Sequence, residues 1–144
     1  MRKPLSIAMA ALAAAPLLAA GARAADLTVT DAWFRSLPGT LPAGGYMVVH
    51  NAGAADAVLT GASSPACGSI MLHRSEDVNG MSGMVMADSV TVPAHGSFAF
   101  SPGAYHLMCM APRMKIGTNV TVTLEFEGGR KVDAQFAVRN ATGK

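Results

Sequence analysis

Organised charge is what this 144-residue chain has least of: only 14% of its residues are Asp, Glu, Lys or Arg. Lysine and arginine gather into no patch or stripe, so the electrostatic footprint of a nucleic-acid binder is missing. No amphipathic stretch offers itself to a membrane surface. There is no glycine-rich phosphate loop and no pairing of a nucleophile with a base, so the sequence gives no support to an enzyme. After residue 24 no segment keeps a helical period, no repeat recurs, and no low-complexity linker divides the chain. Cysteine is limited to Cys67 and Cys109, which suits one bridge or one reactive pair.

The long apolar run that is present covers residues 5–20. Arg2 and Lys3 precede it, and Ala22-Arg23-Ala24 follows as a small-x-small cleavage site. This predicts a helical signal peptide over residues 1–24, a mature domain over 25–144, and export to the periplasm. A retained anchor would ask for about 20 strongly apolar residues, and this run is shorter and Ala-rich. Of the 11 basic residues, Arg2, Lys3 and Arg23 leave with the leader, so 8 face 9 acidic ones and the formal +2 becomes −1. About 120 residues suffice for one domain with a single core.

The mature sequence reads as short strands between turns. Strands are expected at residues 27–34, 46–50, 57–61, 67–73, 84–92, 97–100, 105–110, 120–126 and 131–138. Residues 38–45 read as a Pro/Gly loop and 77–83 as a polar, Gly-rich loop. Turn signals about every ten residues point to an all-β sandwich or barrel.

Methionine is abundant: ten residues, seven of them between Met71 and Met114. Methionine ordinarily fills gaps in a core, but three of the four histidines lie in this span and two of them, His73 and His106, have methionine on their own strand face. In residues 105–110, alternation puts His106, Met108 and Met110 on one face and Tyr105, Leu107 and Cys109 on the other. Met71 shares a face with His73. Met81 and Met84 fall in or beside the polar loop, where burying a long apolar side chain is difficult. Thioether sulfur and imidazole nitrogen are uncharged donors that suit soft copper(I). In an oxidising compartment thiolates would be lost to disulfides, whereas thioethers persist. His50 ends a strand and His95 sits in a turn, and neither has methionine beside it, so neither is expected to be a ligand.

The arrangement resembles the PCu(A)C family of periplasmic copper chaperones. His73, ten residues, Met84, twenty-one residues, and then His106-Leu107-Met108 reproduce that family's motif at all four positions. Ala32-Trp33, residues 43–47, Asn51, residues 63–65, Pro93-Ala94 and residues 102–108 resemble its flanking features, so the likeness spans nearly the whole mature chain. The resemblance implies a cupredoxin-like Greek-key barrel with a solvent-exposed copper(I) site at His73, Met84, His106 and Met108. It also implies delivery towards the dinuclear copper centre of cytochrome oxidase, with cytochrome oxidase subunit II or a Sco-type protein as transient partner. Some relatives carry a His- and Met-rich tail; residues 140–144 here contain neither. Met81, three residues before Met84, is a candidate auxiliary sulfur for transfer.

Two other functions use the same residues differently. Copper sequestration without directed delivery would need identical ligands. An electron-transfer cupredoxin would need a Cys thiolate with a weak axial Met, and the order His106, Met108, Cys109 is wrong for it. Cys109 alternates away from the ligand face, and Cys67 begins the strand leading to His73. A structural disulfide is therefore expected, with Cα atoms within about 7 Å. The alternative is a free Cys109 thiol that joins the metal or exchanges with a thiol partner.

Overall fold

The computed structural model describes residues 26–144. The signal peptide expected over residues 1–24 lies outside the described residues. Ten strands follow one another: β1 (Leu27–Arg35), β2 (Ala43–Asn51), β3 (Ala57–Ser63), β4 (Ser69–Val78), β5 (Met81–Met86), β6 (Val90–Val92), β7 (Gly96–Phe100), β8 (Tyr105–Met110), β9 (Asn119–Phe126) and β10 (Arg130–Arg139). The fold is all-β among the described residues, in line with the turn spacing and the period-two patterning.

Hydrogen bonding runs β5-β4-β8-β2-β1-β10-β9-β3-β6, with β7 on β2. A further pairing of Ala62 with Ile70 joins β3 back to β4. Seven strands thereby close on themselves as a barrel, while β5 projects beyond β4 as an edge. All pairings are antiparallel except β1 with β10. The interior is filled by alternate residues of the wall, with Phe34, Met47, Leu59, Leu107, Leu124 and Phe136 fully buried. Phe34 and Phe136 meet at 5.0 Å between ring centroids across β1 and β10, a spacing typical of attractive aromatic pairs.

Four expectations about strand limits are corrected. Residues 38–45 are not all loop, because β2 begins at Ala43. Gly44 and Gly45 belong to that strand for a steric reason. A Cβ at Gly45 would lie 2.6 Å from Cε1 of Phe34, and one at Gly44 would lie 2.8 Å from Oη of Tyr46. Gly45 makes room on the core face and Gly44 on the outer face.

Residues 77–83 are likewise not a loop. They form the tip of a hairpin in which β4 and β5 are joined by Asn79-Gly80 alone, with Val78 opposite Met81. Both turn residues have positive φ, 53° and 78°, as a two-residue turn that matches strand twist requires. The 84–92 segment divides into β5 and β6. Cys67 lies two residues ahead of β4 and does not begin it.

Candidate metal centre

The register of three neighbouring strands assembles the site. β4 pairs with β8 so that Met71 faces Met108, Leu72 faces Leu107, and His73 faces His106. On its other side β4 pairs with β5 so that His73 faces Met86 and Ser75 faces Met84. Paired residues share a face. Leu72 and Leu107 therefore enter the core, and His73, His106, Met108 and Met84 share the outer face. Met84 and Met108 each sit diagonally from His73, within reach of a long side chain.

The four expected ligands are thus neighbours in the sheet, though not equally placed. Met84, His106 and Met108 line one concavity, together with Arg35, Gly44 and Tyr46. His73 is not part of that lining; it lies against His106, with ring centroids 5.6 Å apart and planes at 83°. His106 is nearly buried, whereas Met84 is 62% exposed. The site is closed at His106 and open at Met84, with His73 and Met108 half-buried between them.

The histidine nitrogens are set up as donors to something outside the protein. Nδ1 of His106 lies 3.3 Å from the Ala104 carbonyl, which can only accept, so Nδ1–H donates and Nε2 keeps its lone pair. That carbonyl is itself held by the amide of Ser75 at 3.0 Å. Nε2 of His106 and Nδ1 of His73 are both buried without a hydrogen-bond partner. Buried polar atoms are rarely left so. Burial, with the neighbouring His106 imidazole adding to it, holds the His73 pKa below the usual imidazole value of 6.5. A histidine kept neutral is in the form that coordinates a metal.

Among the described residues no group of three or more His, Cys, Asp or Glu side chains could hold a metal ion. A cation here would depend on thioether sulfur as well as the two imidazoles. Such a donor set is neutral and soft, and it suits a soft monovalent ion.

Cys67 and Cys109 form a disulfide with Cα atoms 5.4 Å apart. Cys109 is fully buried on the core face of β8. Neither cysteine can therefore supply the thiolate of an electron-transfer cupredoxin, nor an exchangeable thiol while the bridge stands. His50 and His95 line a separate concavity with Asn51 and Ser97. His50 hydrogen-bonds Oγ1 of Thr30 through Nε2 at 2.8 Å, about 20 Å along β2 from Gly44 at strand rise.

Met81 does not join the site face. It is odd-numbered on β5 and alternates away from Met84, and it is 76% exposed. Met86 is 65% exposed and faces His73 in register. Its signal was the Asn-Gly pair: a two-residue turn at 79–80 sets 78 opposite 81 and hence 73 opposite 86.

Comparison with known proteins places this architecture. The copper-bound PCuAC domain of PmoF2 superposes with a TM-score of 0.66 at 23% identity, covering 85% of this chain and 96% of that domain. Apo-DR1885 from Deinococcus radiodurans matches with a TM-score of 0.60 at 28% identity, over 96% of this chain and 95% of that one. DR1885 in its CuI form matches at 0.61 and 26%, over 85% and 79%. A putative lipoprotein of Leifsonia xyli is 29% identical over 126 residues, 85% of this chain and 75% of that protein. The fold is thus that of a PCuAC domain, a cupredoxin-like barrel. The chain belongs to the family described as putative lipoprotein LpqE-like, whose model matches residues 27–138.

Proposed function

We propose that the protein is a periplasmic carrier that binds one copper(I) ion through His73, Met84, His106 and Met108 and passes it on by ligand exchange. The observation that carries this reading is the pair of opposed histidines whose buried Nδ1 and Nε2 have no partner, on one face with two methionines. The likeness to CuI-DR1885 and to a copper-bound PCuAC domain supports the choice of ion.

Exposure gives the exchange an order. Met84, on the edge strand and largely in water, is the ligand an acceptor reaches first. A thioether is an uncharged ligand, so its departure leaves no charge to neutralise. His106, held by the Ala104 carbonyl, leaves last. The acceptor fitting such a soft ion is the dinuclear copper centre of cytochrome oxidase, with subunit II or a Sco-type protein as the transient partner. Copper-loaded protein mixed anaerobically with the soluble copper domain of subunit II, or with a Sco-type domain, should lose its metal to one of them. Retention of copper in the presence of excess acceptor would favour sequestration instead.

A further inference from the structure

Arg35 stands in an unusual position for a cation. It lines the same concavity as Met84, His106 and Met108. Its guanidinium lies over two aromatic rings, 5.5 Å from the centroid of Trp33 and 5.5 Å from that of Tyr46. Its Nε is buried without a hydrogen-bond partner. Among the described residues the ion pairs are Arg74–Glu76 and Lys131–Glu125, so no carboxylate neutralises Arg35.

The sheet explains how the charge comes to be there. Arg35 pairs with Gly44 across β1 and β2, and Gly44 pairs with Met108 across β2 and β8. Arg35, Gly44 and Met108 therefore form one row on the outer face. At about 4.8 Å between strands, the Arg35 and Met108 backbones are about 10 Å apart. The middle position has no side chain, and Tyr46 lies over it. A bulge between Thr30 and Trp33, with Asp31 at a φ of 52°, turns Trp33 and Arg35 onto this face. Trp33 itself is backed by a second guanidinium, Arg139, at 5.0 Å. Cation–π stacking fixes the position of the charge without cancelling it.

We infer that Arg35 is a specificity residue that sets the oxidation state of the bound copper, disfavouring the divalent ion by its uncompensated charge beside a neutral ligand set. This rests on the copper-carrier reading. The divalent ion differs from the monovalent one by one more unit of positive charge, and only that extra charge counts in the ratio of the two affinities. Taking the row's backbone spacing of about 10 Å as the charge–ion separation, and an effective dielectric of about 20, one unit-charge repulsion changes that ratio roughly ten- to twenty-fold. Glu76 is occupied by Arg74 at 3.0 Å, and the Asp77 carboxylate accepts from Ser82 at 3.0 Å further out on the hairpin.

The test is the ratio of copper(II) to copper(I) affinity, each measured by competition with a chromophoric chelator, the latter under anaerobic conditions. Arg35→Gln should move the ratio at least ten-fold toward copper(II), while Arg35→Lys, which keeps the charge, should stay within about three-fold of the wild type. The shift should shrink in about 1 M salt, where screening acts over about 3 Å. A folded Arg35→Gln protein with an unchanged ratio would overturn the inference. So would an Arg35→Lys shift as large as that of Gln, since lost stacking would then be the cause. Should the Gln variant not fold, Arg35→Met keeps the apolar stem over the rings and decides in its place. Failure of the wild-type protein to bind copper(I) at all would contradict the carrier reading itself, and it is read separately in the same titration.

Discussion

Opening the Cys67–Cys109 bridge should cost this domain about a quarter of a typical protein's stability or more. The two cysteines are 42 residues apart in sequence, and closing a loop of that length restrains the unfolded chain by about 4 kcal/mol at 25 °C. The folded side of the balance changes little. The amide of Gly68 donates to the Met110 carbonyl at 2.8 Å and that of Arg113 to the Ala66 carbonyl at 2.7 Å, so the same junction stays pinned when the sulfurs part. For about 120 residues, an unfolding entropy of about 250 cal/mol/K converts the loss to a fall of about 15 °C in Tm. Urea and thermal unfolding should be followed with and without reductant. A Cys67→Ala/Cys109→Ala double variant serves as a check that buried thiols are not the cause. A loss below about 1 kcal/mol in both would refute the reasoning, because the unfolded chain would then not feel the constraint.

Acid should affect the folded state as well as metal binding. The His73 pKa is depressed in the fold, so between that depressed value and about 6.5 the unfolded chain binds a proton that the native protein does not. Apo-protein stability should therefore fall as pH drops below about 6.5, level off below the folded pKa, and show less of this dependence in His73→Gln; urea midpoints from pH 7.5 to 5 measure it. Copper(I) affinity should weaken below about pH 6 as protons compete for imidazole, and a flat affinity from pH 5 to 8 would contradict histidine ligation. Of the spare sulfurs, Met86 shares the face of His73 and Met81 does not. Met86→Ala should slow copper transfer several-fold at little change in affinity, and Met81→Ala should leave it unchanged; stopped-flow transfer to a chelator would reverse that assignment if Met81 proved the sensitive position.

The regular part of the site was legible in the sequence. Residues 105–110 alternate without interruption, so the placing of His106 and Met108 on one face and of Leu107 and Cys109 on the other follows from strand geometry alone. The β4–β5 hairpin was harder to read because Ser75, Asp77, Gly80, Ser82 and Gly83 give it a loop's composition. Its strandedness comes from the register that Asn79-Gly80 imposes, a signal carried by two residues alone. Strand β2 was shortened for a similar reason. Pro42, Gly44 and Gly45 read as loop, yet the two glycines are there because the Tyr46 and Phe34 rings occupy their Cβ positions. The setting of Arg35 was not legible at all. It depends on a bulge at Asp31, a glycine on β2 and a methionine on β8 coming into one row, and no local pattern carries that.

The central claim is that two opposed histidines and two methionines hold copper(I). Its most direct test is anaerobic copper(I) titration of the protein against a competing chromophoric chelator, comparing His106→Ala and Met84→Ala with His50→Ala and His95→Ala. One copper(I) per chain in the wild type, a marked loss in His106→Ala, a smaller loss in Met84→Ala and no change in the other two is the expected result. Equal affinity in His106→Ala, His50→Ala and His95→Ala would contradict the site.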